Sequence, residues 1–169
     1  MPTIYLIEGP VGAGKSTYAA ALALRTQGLH IALDEWFATL FSPDRPEGDF
    51  IAWYIARKER LIGLIWAHAH KVLASGTDAV LELGLIQRHS REAFYQRVRD
   101  AGHTLAVHVL DAPLEVRRER VRHRNVEQGP TFSMVVPDHV FDIASSLWEA
   151  PDEIETGEHA IEFISPQPS

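Results

Sequence analysis

The chain has 169 residues, 46% apolar and 23% charged, a globular composition that suits one domain around one core. It contains no cysteine, which excludes disulfides and thiolate metal sites and gives no sign of an oxidising compartment. A formal net charge of -7 opposes bulk attraction to nucleic acid or to an anionic membrane, so neither is expected as a partner.

The first apolar run, "TIYLI", opens at Thr3 and leaves no space for a signal peptide, and the longest apolar stretch, Leu61 to Ala67, is too short to span a bilayer. A cytoplasmic protein is the expectation. In chain order, strands are predicted at Thr3 to Ile7, His30 to Asp34, Ala79 to Leu83, Thr104 to Asp111 and Ala160 to Ile164. Helices are predicted at Lys15 to Arg25, Phe50 to Leu73, Arg91 to Ala101, Pro113 to Arg124 and Asp138 to Trp148. Strand alternating with helix implies right-handed crossovers and a parallel sheet covered on both faces, an α/β fold. Two turn-rich segments, Phe41 to Asp49 and Asn125 to Pro137, read as functional loops, and the acidic stretch "EAPDEIETGEHAIE" reads as solvated surface around the last strand.

Behind the first strand stands "GPVGAGKST", which comprises Gly9, Pro10, Val11, Gly12, Ala13, Gly14, Lys15, Ser16 and Thr17. The spacing is G-x-x-x-x-G-K-[ST], with an apolar strand before it and the helix former "YAAALAL" after it. Such a loop turns consecutive N–H groups toward one point at a helix N-terminus and so cradles phosphates. Lys15 is placed to neutralise β- and γ-phosphates, Ser16 to ligate Mg²⁺, and Thr17 to reach the α-phosphate.

At the end of the second predicted strand, Asp34 and Glu35 lie at the sheet edge that carries the phosphate loop. Asp34 there either takes the proton of an attacking hydroxyl or N-caps a helix beginning at Glu35. In the third strand Glu82 sits among Val80, Leu81 and Leu83. An acid in that setting needs a partner, either the water shell of Mg²⁺ or an arginine such as Arg57, Arg88 or Arg91. "LEVRRERVRHRN" then places Arg117, Arg120 and Arg124 on one helical face, where a triphosphate relieves their mutual repulsion, while Arg118 and Arg122 have Glu115 and Glu119 at i,i+3 on the outer face. His68 and His70, two apart on a helix, diverge by about 200° and do not form a metal pair.

Together "GPVGAGKST", "LDEW", "VLELG" with "SREAF", "LDAP", "RERVRHRN" and "LWEAPDE" resemble the P-loop kinases grouped as AAA_33. These are relatives of gluconate kinase, chloramphenicol phosphotransferase, zeta toxins and the kinase domain of polynucleotide kinase. The resemblance covers nearly the whole chain and implies a three-layer P-loop NTPase with an adenylate-kinase-like sheet of five parallel strands in the order 2-3-1-4-5. It implies a single domain over residues 1–169 with a lid at about 117–137. It also implies Asp34 as general base, Arg120 and Arg124 as lid arginines, and Glu82 near Ser16 and the metal; with the loop and the arginine face this makes Lys15, Arg120 and Arg124 the expected transfer residues and puts Arg117 and Arg120 at the nucleotide. Two stretches depart from the pattern: relatives read "LDFGF" where this chain has "LELGL", and "FEPP" where it has "WEAP". The longer Glu82 side chain shifts the carboxylate relative to the metal, and the second change lies near the acceptor pocket.

The resulting expectation is an ATP- and Mg²⁺-dependent kinase, monomeric or homodimeric, acting on a hydroxyl of a small molecule. Trp36, Phe37, Trp53, Arg57 and Arg88 are expected around the acceptor. A 5′-hydroxyl nucleic-acid kinase, a nucleotide-sugar kinase and a regulatory NTPase without an acceptor are the alternatives.

Overall fold

The computed structural model describes residues 1–130 and 132–165. Five strands form one sheet: β1 (Thr3–Glu8), β2 (Leu29–Ala32), β3 (Ala79–Glu82), β4 (Thr104–Val109) and β5 (Ile161–Phe163). All pairings are parallel, in the order β2-β3-β1-β4-β5, as the resemblance implied. Seven α-helices accompany them among the described residues: α1 (Lys15–Thr26), α2 (Leu33–Leu40), α3 (Phe50–Ala74), α4 (Arg88–Asp100), α5 (Leu114–Glu127), α6 (Asp138–Leu147) and α7 (Glu153–Glu158). None of them is long and apolar enough to cross a membrane.

The pleat sorts side chains to two faces. Ile4, Leu6, Ala79, Leu81, Val107 and Val109 face α3 and α4, where Leu61, Ile65, Ala69, Phe94 and Val98 complete a buried cluster. Ile7 and Val80 face the other way onto Ala19, Leu22 and Ala23 of α1. The same alternation decides where the two strand-end acids go. Glu82 shares the parity of Val80 and lies toward α1, whereas Glu8 shares that of Leu6 and lies toward α3 and α4.

Two boundaries differ from the sequence reading in ways that move functional residues. The second strand stops at Ala32, and Leu33 already belongs to α2. Leu33 and Phe37, four apart, are both buried, and this helical burial overrides the β-rich run before it. The acidic tail is not merely solvated surface, because it forms α7, whose Glu155 is fully buried. Arg91 donates to Glu155 through Nε at 2.7 Å and Nη2 at 2.9 Å, and the Tyr95 hydroxyl adds a third bond at 3.0 Å.

Candidate nucleotide and transfer site

The phosphate loop joins β1 to α1 at the carboxyl edge of the sheet. Gly9 is required by close approach, since a Cβ there would stand 2.2 Å from the Leu110 carbonyl oxygen. Gly12 has φ +81°, and a Cβ on it would meet the Arg117 carbonyl oxygen at 2.7 Å. Around this turn Ala13 N–H is bonded to Pro10, while the N–H groups of Gly12, Gly14, Lys15 and Ser16 have no partner among the described residues. Unpaired donors converging at a helix N-terminus suit a phosphate chain. The Lys15 ammonium bridges the loop, donating to the carbonyls of Gly9 at 2.8 Å and Pro10 at 2.9 Å. Thr17 is exposed on the first turn of α1.

Ser16 Oγ donates to Glu82 Oε1 at 2.9 Å, and the other Glu82 oxygen meets His30 Nε2 from the adjacent strand. A hydroxyl and a carboxylate side by side form an oxygen donor set that suits a hard cation such as Mg²⁺. The arginine partners considered for Glu82 are engaged elsewhere. Arg91 pairs with Glu155, Arg88 Nη1 donates to Asp152 at 2.9 Å, and Arg57 donates to the Trp53 carbonyl on its own helix.

Asp34 is neither a strand residue nor an N-cap. It stands exposed in the first turn of α2, where its charge is favoured by the helix dipole. Four groups feel its carboxylate: Lys15, Lys58, Tyr54 and Arg124. Burial pushes the Lys15 and Lys58 ammoniums below their ordinary value, with acids opposing, and it pushes the Tyr54 phenol upward with help from Asp34. Burial also lowers Arg124, against the pull of Asp34 and Glu82, and Arg124 Nε is buried without a hydrogen-bond partner among the described residues. A buried guanidinium N–H without a partner, in the field of two carboxylates, is a donor that a ligand could satisfy.

The profile of AAA_33, described as an AAA domain, matches residues 4–151. The chain belongs to the AAA_33 family. A gluconokinase from Sinorhizobium meliloti 1021 is similar to this AAA_33 domain with a TM-score of 0.59 at 21% identity, covering 99% of this chain and 85% of that one. Kti12 of Chaetomium thermophilum, solved with ADP-AlF3, gives a TM-score of 0.67 at 17% identity, covering 96% and 88%. A chain of the Pnkp1/Rnl/Hen1 RNA repair complex gives 0.61 at 18% identity and covers 94% of this chain, which spans only 46% of that protein. At these identities the likeness is one of fold. No curated protein matches the chain.

Within this AAA_33 domain the expected site residues divide. Lys15, Ser16, Asp34, Glu82 and Arg124 gather at the sheet edge, and Arg120 reaches it through a long 3.5 Å contact from Nη1 to the Gly12 carbonyl. Arg117 is engaged by the loop and its surroundings. It is buried behind the loop, donating to the carbonyls of Ala112 at 3.0 Å and Val11 at 3.1 Å and to Ser145 Oγ at 3.1 Å, so it braces the cradle from outside. Arg118 and Arg122 pair with Glu115 and Glu119 as their spacing suggested, and they also reach Asp142 and Asp138 of α6.

On the acceptor side Trp53 and Arg57 line α3 together, but Phe37 is buried core rather than pocket wall. Trp36 turns away to pack on His68, about four helical turns along α3 from Tyr54. Arg88 is held by Asp152, with Glu92 also near. Two residues of the edge went unread in the sequence. Glu8 is buried, its Oε1 without a hydrogen-bond partner among the described residues, and Lys58 donates to the Gly84 carbonyl at 2.7 Å while feeling the charges of Asp34 and Glu8. Both carried a signal: Glu8 is an acid closing the apolar run "TIYLI", and Lys58 lies four residues from Tyr54 on the inward face of α3.

Proposed function

We propose that this AAA_33 domain is an ATP-dependent phosphotransferase that moves the γ-phosphoryl group to a hydroxyl of a small molecule. The observation that supports this most is Asp34, an exposed carboxylate in the first turn of α2 whose charge is felt by Lys15 and Arg124. In the reaction the acceptor O–H bond breaks and its proton goes to Asp34. The acceptor oxygen bonds to the γ-phosphorus as the bond to the β,γ-bridging oxygen breaks, and ADP leaves with that electron pair.

The loop N–H groups and Lys15 hold the phosphates, and the Arg124 and Arg120 guanidiniums offset charge on the transferring group. Ser16 and Glu82 are the residues that would hold Mg²⁺, which neutralises phosphate oxygens when bound. The lid would lie within the region of about 117–137, beyond the fixed Arg117, where Asn125 clasps the Val136 backbone through two bonds of 2.8 and 2.9 Å.

The reading is tested by ADP release from Mg·ATP in the presence of a panel of sugars, sugar acids, sugar phosphates, nucleosides and aminoglycosides. Release that depends on an acceptor, with the phosphorylated product seen by mass spectrometry, supports it. Slow hydrolysis that no acceptor stimulates overturns it in favour of a regulatory NTPase.

A further inference from the structure

The corner between α2 and the first turns of α3 carries three cations set over aromatic rings. Arg45 Cζ lies 4.0 Å from the Phe50 ring centroid, Arg57 Cζ lies 4.5 Å from Trp53, and Lys58 Nζ lies 5.9 Å from Tyr54. The rings beneath are continuous: Phe50 packs on Trp53 and Tyr54 at 5.9 and 5.6 Å, and Phe37 backs both. Cations over ring faces are held in place and partly stripped of water.

Among the described residues none of these three forms an ion pair with a carboxylate. Acids are not scarce there, since Glu35, Asp44, Glu47, Asp49 and Glu59 share the segment. Other arginines of this acidic chain do find acids, as Arg91 does with Glu155 and Arg118 with Asp142. Arg57 spends one N–H on the Trp53 carbonyl and Lys58 one on the Gly84 carbonyl, so both keep donors in reserve. Lys58 also feels the charge of Asp34, so a cation stands near the general base at this corner.

We propose that this corner binds an acid group of the acceptor: the substrate is a hydroxyl compound bearing a carboxylate or a phosphate monoester, gripped by Arg57 and Lys58 with its hydroxyl at Asp34. The hydroxyl half of this assignment rests on the phosphotransfer reading above, and the anion half does not. The aromatic block receives the carbon skeleton between the two ends. Without the cations, an acid group so near Asp34 is repelled.

The test uses matched sets: sugars against their sugar acids and sugar phosphates, and nucleosides against nucleoside monophosphates. Acid-bearing members are expected to stimulate ADP release with neutral counterparts inert, and the carboxylate and phosphate arms identify which acid is read. Arg57→Ala is expected to raise KM for the acidic acceptor about 10- to 100-fold with a smaller change in kcat, and Arg57→Lys to recover part of it. Equal use of neutral members, or an unchanged KM in Arg57→Ala, overturns the anion site while leaving phosphotransfer intact. A second readout is independent of transfer: thermal stabilisation by the same compounds in the presence of Mg²⁺ and a non-hydrolysable ATP analogue. Stabilisation by acidic members that Arg57→Ala abolishes, without any ADP release, keeps the anion site and removes the kinase reading. No stabilisation by any acidic member overturns the site.

Discussion

Ser16 Oγ donates to Glu82 Oε1 at 2.9 Å, while the second Glu82 oxygen is held by His30 from the edge of the sheet. Strand order creates this contact, because β3 lies beside β1 and the pleat turns Glu82 to the α1 face. The prediction concerns metal dependence. Glu82→Gln keeps the shape but loses the charge, and it is expected to raise the Mg²⁺ concentration needed for nucleotide-induced thermal stabilisation by about 10-fold or more. His30→Ala, which frees one Glu82 oxygen, is expected to act in the same direction more weakly. Identical Mg²⁺ titrations for Glu82→Gln and wild type would separate Glu82 from the metal.

Lys15 donates to the carbonyls of Gly9 and Pro10 and so braces the turn. Lys15→Ala therefore removes both a loop brace and a phosphate cation. The variant is expected to remain folded and to lose most of the melting-temperature increase that Mg·ATP gives the wild type. A full thermal shift in Lys15→Ala would contradict the phosphate-loop assignment.

Asp34→Asn separates binding from transfer. The amide occupies the same place on α2 but accepts no proton, so acceptor-dependent turnover is expected to fall about 10²- to 10⁴-fold. Stabilisation by the nucleotide is expected to persist, since Asp34 is not part of the cradle. Turnover within a few-fold of wild type would remove Asp34 as base.

The sheet and the phosphate loop were legible because their signals are local: short apolar runs alternating with helical periods, and a glycine spacing flanked as the chemistry requires. What escaped depended on partners distant in sequence. "DEIETG" looks like solvated surface until Arg91, 64 residues before Glu155, brings a guanidinium into the core. "HIALD" is β-rich and reads as strand through Asp34, and only the joint burial of Leu33 and Phe37 reveals the helix. Arg117 shares a helical face with Arg120 and Arg124, yet one turn along the axis places it behind the loop rather than over it. Helical phase gives direction but not depth.

The Arg91–Glu155 pair fastens α4 to α7, with both side chains almost wholly buried. Removing one member strands the other charge, so Glu155→Gln is expected to cost about 3 to 5 kcal/mol in chemical denaturation. The double variant Arg91→Leu/Glu155→Leu is expected to recover much of that loss, because no buried charge is left over. Additive losses in the double variant would show that the pair is not the unit that matters.

Glu8 makes stability depend on pH in a direction opposite to most carboxylates. Burial pushes it up to about 8 from an ordinary 4.5, against the pull of Lys15, Arg91 and Lys58. Across that window the folded chain keeps a proton that the unfolded chain has released. Stability from this group is therefore complete below the unfolded value and falls as pH rises, by at most about 1.4 kcal/mol per pH unit, with no further loss above the folded value. Glu8→Gln is neutral at every pH. The melting temperature of wild type relative to this variant is thus expected to decline between pH 5 and pH 8 and to level off beyond. Parallel curves for the two proteins over that range would mean that Glu8 is ionised in the folded state, paired with Lys15 or Lys58 across the sheet edge.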